Sequence, residues 1–145
     1  METLKFVMVS TYYPPHHLGG DATFVSYVSE ELIKRGHEVH VYYNSKAYEL
    51  FRKNEQPLNS GNAESRIQKH LYSSRTARID PIPALSLGLC GRATRECARV
   101  IREVRPDVVH WHNTRGFIAR PFETDRSVNL YTSHDYTPVC PRSSL

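Results

Sequence analysis

The segment from Lys5 to Tyr43 constrains the fold more than any other part of the chain. Lys5-Phe-Val-Met-Val-Ser10 is a short apolar run without polar alternation, which is the pattern of a strand buried on both faces. Thr11-Tyr-Tyr-Pro-Pro-His-His-Leu-Gly-Gly20 holds two prolines and two glycines and cannot extend that strand, so it is a shaped loop. A helix is predicted from Asp21 to Arg35, with Asp21 as its N-cap. Phe24, Val28 and Leu32 recur every fourth residue and predict its apolar face. Lys34 and Arg35 suit the negative end of the helix dipole, and Gly36 suits the left-handed residue beyond it. His37-Glu-Val-His-Val-Tyr-Tyr43 is a second strand. Two strands joined through a helix in this way run parallel.

The pattern weakens between Asn44 and Pro83. Ala47 to Lys53 reads as a helical turn, Gln56 to Glu64 is turn-rich, and Arg66 to Ser73 suits a third strand. A second helix is predicted from Leu85 to Val104. Leu89, Ala93, Cys97, Val100, Ile101 and Val104 share one face, and Arg92, Arg95, Arg99 and Arg102 fall opposite. Pro106 stops it. Asp107-Val-Val-His-Trp111 is a buried strand, Gly116 to Phe122 a short helical segment, and Ser127-Val-Asn-Leu-Tyr-Thr132 a further strand. Strands alternating with helices, and no hairpin turn between strands, predict an α/β fold: a Rossmann-like parallel sheet with helices on both faces.

A chain of 145 residues suits one domain. Its net charge of +4 is mild and spread out, so nucleic acid is not expected as a partner. Cys90, Cys97 and Cys140 are an odd count without a Cys-x-x-Cys pair, which fits neither a disulfide framework nor a zinc ribbon. A reducing cytoplasm is the expected location. The N-terminus lacks the pattern of a signal peptide, and no run reaches the roughly 18 apolar residues of a membrane span. The arginine stripe reads as a solvated face or as a docking face for anionic lipid headgroups, which leaves room for peripheral contact with a membrane.

In a doubly wound sheet, ligands bind outside the carboxyl ends of the strands. Three unusual segments belong there: the Thr11–Asp21 loop, His110-Trp-His-Asn113, and Ser133-His-Asp-Tyr136. Gly19 and Gly20 open the first helix, where bare backbone and free N–H groups suit either a phosphate or simply a tight turn. Asp21 works against an anion at that spot. The sequence has neither Gly-x-Gly-x-x-Gly nor a Walker A loop. His110 is expected to face the sheet interior and His112, past the strand end, to meet the ligand. With His134 these histidines suggest a metal site, but acidic or thiolate company at fixed spacing is lacking. His16 and His17 read as exposed loop residues. His134 and Asp135 are neighbours whose side chains diverge, so a direct ligand contact from His134, with Asp135 fixing the loop through backbone hydrogen bonds, fits better than a base and its orienting acid, and Tyr136 is a further candidate for binding substrate. Cys140 reads as a loop-packing residue rather than a reactive thiol.

Val9-Ser-Thr-Tyr-Tyr-Pro-Pro-His-His-Leu-Gly-Gly20, followed by a helix ending in Lys34-Arg-Gly-His-Glu-Val39, resembles the start of a GT-B glycosyltransferase of the family 4 retaining group. Arg105-Pro-Asp-Val-Val-His-Trp-His-Asn113 and Ser133-His-Asp-Tyr-Thr-Pro-Val-Cys-Pro-Arg142 resemble two later segments of that family, in the same order. The resemblance implies two Rossmann-like domains facing across a cleft, with this chain on the acceptor side. It implies that Gly19 and Gly20 lie near the diphosphate of a nucleotide-sugar donor and that His134 contacts the transferred sugar. His112 and Asn113 would line the cleft near the acceptor, a glycan, lipid or small molecule. No metal or other cofactor is implied, because helix dipoles and basic side chains stabilise the leaving diphosphate.

The chain departs from that pattern in length. Its sequence stops at Leu145, before the second domain and its phosphate-binding residues. The expectation is an incomplete N-terminal domain, inactive alone, whose C-terminal partner is missing or on a separate chain. Two other readings stay open: a non-catalytic module that binds a sugar or a protein, and a sugar-nucleotide epimerase or hydrolase on the same fold.

Overall fold

The fold is built outward from its first strand. A computed structural model describes residues 2–16, 20–44, 66–72, 91–114, 124 and 126–135. Among them the elements are β1 (Lys5–Val9), α1 (Gly20–Lys34), β2 (Glu38–Tyr43), β3 (Gln68–Leu71), α2 (Gly91–Val104), β4 (Val108–Trp111) and β5 (Val128–Tyr131). The five strands form one parallel sheet in the order β3-β2-β1-β4-β5. The expected strands therefore form, and the α/β Rossmann-like class is established. The expected elements at 47–53, 56–64 and 116–122 lie outside the described residues, as do the first six residues of the predicted second helix.

β1 lies at the centre, and its side chains alternate between two cores. Phe6 and Met8 join Val25 and Ile33 of α1, together with Val39, Val41 and Tyr43 of β2 and Val108 of β4. Val7 and Val9 join Ala93, Cys97, Val100 and Ile101 of α2, together with Tyr42, Val109 and Trp111. This explains the unbroken apolar run, since a strand covered on both faces has no side to leave polar. Each fully buried valine or isoleucine contributes about 1.5–3 kcal/mol by leaving water. The Tyr42 hydroxyl crosses this second core to donate to the Ala93 carbonyl at 3.1 Å. Cys97 is a buried free thiol, and burial pushes its pKa up.

α1 departs from expectation in two ways. Its buried residues are Ala22, Val25, Ser29 and Ile33, whereas Phe24 is exposed and Val28 and Leu32 flank the core. At about 100° per residue the buried four share one stripe, and the 24-28-32 row drifts toward it only at Leu32. The polar Ser29 hid this stripe from a reading based on hydrophobicity. The helix also begins at Gly20, so Asp21 sits inside the first turn instead of capping it, and its Oδ1 accepts the Ala22 N–H at 2.8 Å. The far end is as expected. Gly36 has φ of 87°, its N–H donates to Ile33 O, and the His37 N–H donates to Leu32 O, the paired bonds of a Schellman motif. α2 ends differently. Arg105, held out of the helical region by Pro106, takes φ of 51°.

A polar chain crosses three strands, from Lys5 at the start of β1 to His70 of β3. Lys5 pairs with Glu38 at 3.5 Å, and His40 Nε2 donates to Glu38 Oε1 at 2.7 Å. His40 Nδ1 lies 2.9 Å from His70 Nε2, with the rings stacked. An ionised carboxylate only accepts, so it fixes Nε2 as the donor of His40.

Candidate functional site

The order β3-β2-β1-β4-β5 reverses direction between β1 and β4, which is where such sheets open a crevice beyond their carboxyl ends. The segments after β1, β4 and β5 meet at that crevice. Thr11, just past β1, donates twice to the Asn113 carbonyl, from its N–H at 2.7 Å and from Oγ1 at 2.8 Å. The side-chain amide of Asn113 donates to Asp21 Oδ2 of α1 and to Asp135 Oδ2 beyond β5, each at 3.4 Å. One asparagine thus links all three segments. The Ser133 hydroxyl donates to the Asp135 carbonyl and tightens the last turn. In the first loop, Tyr13 and His16 pair through their backbones across a turn containing a cis Pro14–Pro15 bond.

The histidines form a second layer of the site. His110 and His112, two residues apart on an extended chain, project to one side, with ring centroids 4.0 Å apart. His110 Nε2 lies 2.8 Å from Thr132 Oγ1, and His112 Nδ1 lies 3.1 Å from His134 Nε2. His110 is half-buried. His112 is wholly buried, and its Nδ1 faces the partly exposed His134. Burial, followed by the neighbouring histidines, pushes the His112 pKa down to about 3, so the ring is neutral. Burial also lowers the pKa of His110. The exposed Phe24 of α1 covers this layer, with its ring 5.3 Å from that of His134 and 6.1 Å from that of His112, both edge-on.

Of the residues expected from sequence, Asp21, His112, Asn113, His134 and Asp135 come together here. Gly20 opens α1 at the same corner. It is exposed, and a Cβ there would meet no atom within 4 Å, so the backbone is open to close approach. Gly19, Tyr136 and His17 lie outside the described residues. Sequence reasoning placed Thr11 and Tyr12 in the first loop without giving either a role, and it did not assign Phe24 to the site. Burial, and then Asp21, pushes the Tyr12 pKa up to about 12, which keeps its hydroxyl protonated. Phe24 was assigned to the core because a large apolar residue on a helix ordinarily goes there.

Chemically the corner offers two carboxylates, a polarised amide and a half-buried imidazole. Carboxylates that already accept from an amide have lone pairs left for hydroxyl donors. Among the described residues, no three His, Cys, Asp or Glu side chains are arranged to hold a metal ion, and no helix is long and apolar enough to cross a membrane.

Residues 18–138 match the model of Glycosyltransferase Family 4. The chain is also 25% identical, over 154 aligned residues, to an "Uncharacterized 42.6 kDa protein in cps region" of Klebsiella pneumoniae. That alignment covers 98% of this chain and 39% of the relative, so the chain spans well under half of the relative's length.

Proposed function

The chain belongs to glycosyltransferase family 4, and on that premise we propose that it is the acceptor-side, N-terminal domain of a retaining enzyme that uses a nucleotide-sugar donor. The observation that carries this reading is the convergence of Asp21, Asn113, His134 and Asp135 at the crevice between β1 and β4. A sugar presents many hydroxyls, and two carboxylates beside an amide suit hydroxyl donors. They repel a phosphate, so a donor diphosphate near Gly19 and Gly20 needs the basic groups of a second domain to offset the neighbouring Asp21. His134 is the side chain proposed to touch the transferred sugar, with the Ser133–Asp135 turn holding it in place.

In this reading the protein's part of the chemistry is positional. The Asn113 link holds the three segments at fixed separation, and Phe24 shields one side of His134 from water. Hydrogen bonds in such a shielded corner are stronger than in water, and donors fixed in advance cost no reorganisation during reaction. No cofactor beyond the sugar donor is required. Because the chain spans 39% of the relative's length, we further propose that transfer requires a second domain, supplied on the same or another chain.

The test is a transfer assay with UDP- and GDP-sugars, run on the chain alone and with a C-terminal domain of the family added. Turnover should appear only in the second case, and His134→Ala should lower it about a hundredfold. Turnover by the chain alone would sink the two-domain requirement, and unchanged kinetics in the variant would remove His134 from the site.

The exposed arginines of α2 favour one extension of this reading. Arg92, Arg95, Arg99 and Arg102 all face solvent, although Arg99 is paired with Glu103 at 3.0 Å and Arg95 Nε donates to the Gly91 carbonyl. We propose that this face meets anionic headgroups, bringing the acceptor side to a membrane surface. Equal flotation with anionic liposomes by a variant with the four arginines neutralised would refute it.

A further inference from the structure

His112 and His134 share one hydrogen bond, and the direction of that bond decides what His134 can offer a ligand. A neutral imidazole has one N–H donor and one bare nitrogen acceptor. His112 is wholly buried and neutral. Its Nδ1 is 3.1 Å from His134 Nε2, and its Nε2 has no hydrogen-bond partner among the described residues. Were the proton on Nε2, a buried N–H would be left unpaired. With the proton on Nδ1, only a lone pair is left unpaired. Orphaned buried N–H groups are the rarer of the two in folded proteins. The ring is also held in place, against the tilted ring of His110 with centroids 4.0 Å apart and edge-on to Phe24.

We propose that His112 is a positioning residue: it donates its Nδ1–H to His134 Nε2 and thereby fixes neutral His134 in the tautomer that carries its proton on Nδ1. This is the reverse of the tautomer that histidine favours in water. His134 Nδ1 makes no hydrogen bond among the described residues, so its N–H is available to a ligand oxygen. The site therefore presents acceptors at Asp21 and Asp135 and a directed donor at His134. The functional meaning of this rests on the reading of His134 as a sugar contact, but the tautomer itself does not.

The measurement is long-range proton–nitrogen correlation on the ¹⁵N-labelled chain, well above the ordinary pKa range of histidine. The His134 signals are assigned by their loss in His134→Gln. In the wild-type chain Nδ1 of His134 should appear protonated and Nε2 bare. His112→Leu should move the proton to Nε2. His112→Asn, whose amide nitrogen falls near the former Nδ1, should keep it on Nδ1. A wild-type His134 protonated on Nε2, or a His112→Leu variant still protonated on Nδ1, overturns the proposal. If the leucine variant does not fold, the wild-type spectrum decides, and a proton on Nε2 overturns it. A failed transfer assay would leave the tautomer result standing. A failed tautomer test would leave the sugar-contact reading to His134→Ala.

Discussion

Thr11 and Asn113 stand 102 positions apart in sequence, yet both the N–H and the hydroxyl of Thr11 donate to the one carbonyl of Asn113, at 2.7 and 2.8 Å. This double bond of loop to loop is what holds the β1 segment against the β4 segment at the crevice. Thr11→Val keeps the shape and the backbone bond but loses the hydroxyl. Since the carbonyl retains one donor, the loss should be about 1 kcal/mol, the net worth of a single hydrogen bond. Urea denaturation measures it. A valine variant as stable as the wild type would show that the hydroxyl adds nothing to the link.

The rotation of α1 makes an opposite prediction for two adjacent residues. Val25 is fully buried between α1 and the sheet, whereas Phe24 is 42% exposed. Val25→Ala should cost about 2 kcal/mol through lost transfer energy and a residual cavity. Phe24→Ala should cost less than about 1 kcal/mol, although it removes far more surface, because most exposed substitutions are mild. What Phe24→Ala should change is the magnetic environment of His134, which loses the ring 5.3 Å away. A His134 ring-proton shift is the readout. The reverse order of stabilities would put the apolar face back on the 24-28-32 row.

Those two residues also mark where the sequence was readable. The strands were legible because Phe6–Val9 of β1 and Val108–Val109 of β4 are unbroken apolar runs, and a covered parallel strand makes that pattern economical. The face of α2 was legible because Ala93, Cys97, Val100 and Ile101 are all apolar and the arginines all lie opposite. The face of α1 was not, because Ser29 interrupts its buried stripe and Phe24 advertises a face that lies against His134 instead. The convergence of His112, Asn113, His134 and Asp135 followed from sheet topology alone. What topology could not supply was depth. Whether His112 meets the surface or supports a neighbour depends on how far β4 runs beneath the loop, a matter of packing that strand periodicity does not encode.

Gly36 isolates backbone strain from packing. A Cβ there would touch nothing within 4 Å, but φ of 87° is unfavourable for any residue with a side chain. Gly36→Ala should therefore destabilise the chain by about 1–2 kcal/mol, even though alanine is the better helix former. Thermal or urea unfolding of the variant measures it. A neutral or stabilising effect would mean that the Schellman turn relaxes at no cost.

The buried histidines set the acid limit of stability. His112 is pushed from its ordinary value of 6.5 down to about 3, chiefly by burial, and His110 and His70 are lowered for the same main reason. A lowered folded-state pKa means that the unfolded chain takes up protons which the folded chain refuses. Stability is then full above the unfolded pKa and falls as pH drops below about 6.5, with a limiting slope of about 1.4 kcal/mol per pH unit for the wholly buried His112 and a shallower contribution from the partly exposed His110 and His70. Glu38 acts in a separate, lower window. Its carboxyl is held below 4.5, first by the hydrogen bond from His40, so its contribution is lost only as pH falls through the carboxylate range. Urea unfolding across this range should show a decline that begins near the ordinary histidine pKa rather than near that of the carboxylates. His112→Asn, which cannot titrate, should flatten the upper part of the decline. A stability curve that stays level until the carboxylates protonate would mean that these rings take up protons freely in the folded state, and would contradict the buried, neutral His112 on which the arrangement around His134 depends.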